Sequence, residues 1–113
     1  MDFSLNAEQQ ELQIVARRFA QEKMPPIAEE LEAASSPLPR EWVKQYGEMG
    51  FLGMNVPEAY GGLGLGNLEA LLVLEEFAKI SSAVAFPIFE SNVGPVKAIE
   101  HFATEDLKQR VLP

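Results

Sequence analysis

A chain of 113 residues with 47% hydrophobic and 23% charged side chains has the size and composition of one soluble globular domain. Its 17 acidic residues against 9 basic ones give a formal charge of −8, so no net positive field exists to attract nucleic acid or an anionic membrane. With no cysteine there is no disulfide framework and no thiol chemistry, and a single histidine argues against a metal site.

Met1-Asp2-Phe3-Ser4-Leu5 has neither the basic region nor the apolar stretch of a signal peptide, and a cytoplasmic protein is expected. Leu12, Val15, Ala16 and Phe19 recur at helical spacing after Asn6, a suitable N-cap with Gln9 three residues on, so a first helix starts at Ala7. Pro25 and Pro26 should end it near Lys23 and open a second helix reaching about Ala34. Ser35-Ser36-Pro37 reads as a turn. Pro39 opens a third helix with Trp42, Val43, Tyr46 and Met49 on one side and Gly50 as its C-terminal cap.

From Phe51 to Gly66 the text becomes loop, with at most a short extended piece near Leu52 to Val56. Asn67 can cap a fourth helix whose Leu68, Leu71, Leu72, Leu74, Phe77 and Ala78 cover more than half of its circumference, which places it centrally. Glu69, Glu75 and Glu76 interrupt this segment, and it is too short to span a membrane. A fifth helix runs from about Ala83 to Phe102, interrupted or kinked by Pro87 and Gly94-Pro95, with Phe89, Val93, Val96 and Ile99 inward. Thr104 caps a sixth, where Glu105 and Asp106 suit the positive helix end. The expectation is an all-α domain of about six helices, orthogonal or bundle-like, over residues 1–113 without an internal linker.

Several residues invite chemistry. Gly62-Leu63-Gly64-Leu65-Gly66 before a helix suggests a phosphate loop, but no strand follows the fourth helix to complete a βαβ unit and the GxGxxG spacing is missing, so a structural turn is the better reading. Glu75 and Glu76 project roughly 100° apart on a helix and cannot share one proton or metal, which suits an edge residue bonded to a neighbouring helix or loop, with a ligand-facing role as the alternative. His101 has no acidic or nucleophilic partner at a recognisable spacing, and no serine sits in a nucleophile elbow. Phe86, Phe89, Val93 and Val96 form an apolar stripe on an irregular helix; core packing is the default, and the wall of an apolar ligand tunnel is the alternative.

Tyr46-Gly47-Glu48-Met49-Gly50-Phe51-Leu52-Gly53, followed by Val56-Pro57-Glu58-Ala59-Tyr60-Gly61-Gly62-Leu63-Gly64-Leu65 and then the Glu75-Glu76 pair, resembles the N-terminal domain of the acyl-CoA dehydrogenase family. The opening Asp2 to Leu12 and the closing Thr104 to Pro113 resemble the same family, and the departures are Ala103 for a usual glycine and Leu107 for a usual glutamine.

The resemblance implies that a glutamate of a C-terminal helical domain abstracts the α-proton of an acyl-CoA thioester while the β-hydride passes to FAD, leaving a trans-2-enoyl-CoA. It implies that the flavin lies between a middle β-domain and those C-terminal helices, often completed by a second subunit. Both domains are absent from residues 1–113, so no residue here is assigned as catalytic base, flavin ligand or metal ligand. No FAD is expected on this fragment, nor any dehydrogenase activity. The expected partners of the parent enzyme are the acyl-CoA and an electron-transfer protein, and homo-oligomerisation is expected. By position and helical spacing, the resemblance makes Phe86, Phe89, Glu90, Val93 and Gly94 candidates for one wall of the acyl pocket, where two phenylalanines favour short or bulky acyl groups over long straight chains. The competing reading is a stand-alone helical interaction module. An unrelated four-helix bundle is disfavoured, because such bundles use short polar turns.

Overall fold

The structure, a computed structural model, describes residues 3–112. Asp2 and Pro113, which belong to the opening and closing motifs, lie outside the described residues. The architecture is all-α: α1 (Ala7–Ala34), α2 (Arg40–Glu48), a 3-10 turn (Glu58–Tyr60), α3 (Asn67–Ala78), α4 (Ser82–Asn92), α5 (Pro95–Phe102) and α6 (Glu105–Val111), with no strand among the described residues.

The six helices among the described residues match the expected number only because a fusion and a split cancel. The expected first and second helices are one, since α1 runs straight through Pro25 and Pro26. Its buried Ala16, Ala20, Met24 and Leu31, with Ile27 and Ala28 packed beside them, continue one apolar face across the prolines. Burying a side chain such as Met or Leu stabilises by about 1.5–3 kcal/mol, comparable to the roughly 3 kcal/mol a helix-interior proline costs, so packing on both sides holds the helix together. The expected fifth helix is instead α4 and α5, broken where Gly94 precedes Pro95 at the first position of α5.

The helix starts follow local chemistry. Asn6 and Gln9 form the reciprocal capping box, with Gln9 N–H donating to Asn6 Oδ1 at 2.8 Å and Asn6 N–H to Gln9 Oε1 at 3.0 Å. The cap of α3 is Gly66 and not Asn67: Glu69 reaches back to accept from the Gly66 amide at 3.1 Å, while Asn67 Oδ1 accepts from Asn55. Ser81 and Thr104 cap α4 and α6 through their hydroxyls.

Phe77 of α3 is the hub of the core. Its ring lies 4.9 Å from Tyr46, 5.5 Å from Phe51 and 5.8 Å from Phe19, in edge-on or tilted contacts. Tyr46 is fully buried and donates its hydroxyl to the Val84 carbonyl at 2.9 Å, tying α2 to α4; burial also pushes its pKa well above the ordinary phenol value. Met49, expected on the same inner side, is exposed, because α2 ends at Glu48 and the chain turns away at Gly50 with φ 81°.

Candidate functional site

The site starts with the orientation of α4. Its buried residues are Val84, Ala85, Ile88 and Asn92, so the core face is not the Phe89–Val93 face expected from the sequence. Small Ala85 and branched Val84 and Ile88 pack close to α3, which turns the two bulkiest side chains outward: Phe86 is 52% and Phe89 39% exposed. Asn92 fixes this rotation. Fully buried, it donates Nδ2–H to the Phe51 carbonyl and accepts the Met54 amide at Oδ1, both at 2.8 Å, so the chain after α2 is bolted to the end of α4.

The outward phenylalanines border an apolar groove of about 360 Å³ between α3 and α4, lined by Leu74, Ala78, Ser82, Ala85, Phe86 and Phe89. Residues 82, 85, 86 and 89 stand at helical spacing on one face of α4, and Leu74 and Ala78 do the same on α3. The small side chains Ala78, Ser82 and Ala85 make room, while the two phenyl rings form a side wall with centroids 6.2 Å apart and planes at 88°. No ionisable side chain lines this groove.

The five sequence candidates are thus only partly brought together. Phe86 and Phe89 share the apolar groove. Glu90 instead lines two neighbouring cavities, one of about 470 Å³ with Pro37, Leu38 and Phe86, and one of about 480 Å³ beside Leu52, Val56, Pro95 and Ile99. Val93 is the C-cap of α4, and Gly94 packs behind the Phe89 ring. Leu74, Ala78, Ser82 and Ala85 were not singled out as ligand-facing from the sequence. Their signal was the coincidence of small residues on α4 with an i, i+4 apolar pair on α3, which becomes visible only once the two helices are known to pack.

The other chemical candidates are structural. The amides of Gly61, Gly62, Leu63, Gly64 and Leu65 donate to the carbonyls of Glu58, Pro57, Gly53, Val56 and Met54, and the Gly66 amide donates to Glu69. At Gly62 a methyl group would sit 2.1 Å from the Val56 carbonyl oxygen, so the glycine is required by the loop folding on itself. Glu76 is 2% exposed and accepts from Arg17 Nη2 at 3.1 Å, Arg17 Nε at 3.3 Å and Lys79 Nζ at 3.1 Å, which joins α3 to α1, while Glu75 faces solvent. His101 is exposed in the last turn of α5.

The family model described as acyl-CoA dehydrogenase, N-terminal domain, matches residues 6–113. The chain belongs to the acyl-CoA dehydrogenase family. It is 36% identical over 113 residues to the acryloyl-CoA reductase (NADH) of Anaerotignum propionicum, covering 100% of this chain and 28% of that protein. It is also 36% identical over 110 residues to the mitochondrial isovaleryl-CoA dehydrogenase of Bos taurus, covering 96% and 26% respectively. Among solved structures, the glutaryl-coenzyme A dehydrogenase in complex with glutaryl-CoA superposes with a TM-score of 0.88 at 35% identity, over 100% of this chain and 29% of the other. The acyl-CoA dehydrogenase of Geobacillus kaustophilus gives 0.86 at 26% identity, over 100% and 29%. This acyl-CoA dehydrogenase domain therefore spans 26% to 28% of the length of these curated relatives.

For a family associated with FAD, the glycine-rich loop is the natural place to test for a pyrophosphate cradle, and it does not fit one. A cradle needs unpaired amides converging on the anion, whereas the amides from Gly61 to Gly66 are already bonded within the protein. The carboxylates of Glu58, beside Gly64, and Glu69, beside Gly66, would repel phosphate further.

Proposed function

We propose that this chain acts as the substrate-facing N-terminal domain of a flavin-dependent acyl-CoA dehydrogenase of the cytoplasm, serving fatty-acid or related acyl oxidation. The catalytic base, the FAD and the middle and C-terminal domains that hold them are supplied by polypeptide other than residues 1–113. FAD bound in those domains would supply the hydride-accepting chemistry. The full-length enzyme would have an electron-transferring flavoprotein as its electron partner and assemble as a homo-oligomer.

The role of the residues described here is physical. Phe86, Phe89, Leu74 and Ala78 close one side of the acyl chain's path, exclude water from it and hold the thioester's carbon chain in one orientation. The carrying observation is that α4 turns its two phenylalanines away from the core into an apolar groove while a buried asparagine fixes the rotation. The names of the relatives, acting on isovaleryl-, glutaryl- and acryloyl-CoA, support a CoA thioester as substrate.

The test is the acyl-length profile of the full-length enzyme. Phe86→Ala or Phe89→Ala should raise kcat/KM for octanoyl-CoA relative to butanoyl-CoA by about 10-fold, the scale of gaining room for a methylene or two. Unchanged profiles in both variants would contradict the proposal and favour a helical interaction module, which would use the exposed leucines Leu63, Leu65, Leu68 and Leu71.

A further inference from the structure

Gly94 lies just beyond α4, and its amide donates to the Phe89 carbonyl at 2.8 Å, so the two residues are tied through the backbone. A methyl group at position 94 would lie 2.8 Å from Phe89 Cε1, 3.0 Å from Cζ and 3.3 Å from Cδ1. Carbon atoms attract best at about 3.5–4.0 Å, so the edge of the ring occupies the space a side chain would need. The same ring also lines the apolar groove and meets Phe86 edge-on at 6.2 Å.

The backbone of α4 cannot easily yield. Ile88 is fully buried beside Phe89, and Asn92 is bonded to the Phe51 carbonyl and the Met54 amide. The phenyl ring is 39% exposed, and a group at position 94 would press on the ring edge that faces it, while the same ring contacts Phe86 and lines the groove.

We propose that Gly94 is a specificity-determining positioning residue: by lacking a side chain it lets the Phe89 ring seat back on the α4–α5 junction and keeps the groove open. This rests on the reading of the groove as an acyl wall. Gly94 does not itself touch the acyl group; it sets the reach of the groove through Phe89. Because five of the six lining residues are apolar and the sixth is Ser82, the class admitted is an uncharged acyl group whose length is limited by the Phe89 ring.

The experiment compares kcat/KM for butanoyl-CoA and octanoyl-CoA in the full-length enzyme carrying Gly94→Ala, Phe89→Ala, Phe86→Ala, or Gly94→Ala with Phe89→Ala. Gly94→Ala should lower the octanoyl-to-butanoyl ratio about 10-fold, and the same change should have no effect on the ratio once Phe89 is alanine. A general structural lesion would lower turnover of both thioesters and persist in the Phe89→Ala background. If Phe86→Ala and Phe89→Ala shift the profile but Gly94→Ala does not, the positioning role is overturned and the acyl wall stands. If none of the variants shifts it, both are overturned. Should Gly94→Ala fail to fold, recovery of folding by the added Phe89→Ala supports the ring contact, and no recovery overturns it.

Discussion

Glu76 shows how a single side chain can be read as chemistry and turn out to be architecture. Burial alone would raise its carboxyl pKa, but the hydrogen bonds and charges of Arg17 and Lys79 outweigh that and hold it below the ordinary carboxylate value. A carboxyl depressed on folding contributes stability that is fully present above its unfolded pKa and is lost as pH falls through the folded one. Glu76→Gln should therefore lower stability at neutral pH by about 2 kcal/mol, less than a fully buried pair would, because Arg17 and Lys79 are both half exposed. Urea titrations at neutral pH and in mild acid check this: the gap between the variant and the parent should narrow on acidification. That the two glutamates act separately, one of them bonded to a neighbouring helix or loop, was legible from the roughly 100° between adjacent helical positions, although Glu76 is buried and not at the edge. Its partner Arg17 was not, because the pairing depends on how α1 and α3 cross.

At the scale of elements, local rules were overridden where packing had more to offer. The two prolines read as a helix stop, yet Met24, Ile27, Ala28 and Leu31 give α1 an unbroken apolar face across them. The signal was present as spacing and was outweighed by the proline rule. Because Pro25 and Pro26 are exposed, replacing both with alanine restores two amide donors to the helix without disturbing the core. The double substitution should stabilise the chain by at least about 1 kcal/mol, read as a higher urea midpoint with an unchanged slope. A lower midpoint would mean that the prolines are needed for the path of α1. The inner face of α4 was misread for a related reason: Phe89 and Val93 are more apolar than Ala85 and Asn92, and only the pairing of Asn92 with Phe51 and Met54 shows which face is inside. Of the interruption or kink that the sequence places at Pro87 and at Gly94-Pro95, the interruption occurs at Gly94-Pro95, which separates two helices, while α4 runs through Pro87.

For the whole molecule, residues 3–112 form a helical body in which α1, α3 and α4 surround an aromatic core, and the glycine-rich loop is consumed by its own hydrogen bonds. The family was legible from that loop because its glycines answer to backbone demands, at Gly62 a carbonyl too close for any side chain. The groove was only half legible, since two phenylalanines could be named while the α3 residues opposite them belong to a distant part of the chain. No described helix is long and apolar enough to cross a membrane. On the proposed reading the domain contributes a wall, and the most direct measurement is photolabelling of the full-length enzyme with an acyl-CoA analogue bearing a diazirine at the end of its acyl chain. Peptide mapping should place the label within residues 74–89, with loss of labelling when unmodified acyl-CoA competes. Competable labelling confined to segments outside residues 74–89 would contradict the acyl-wall account.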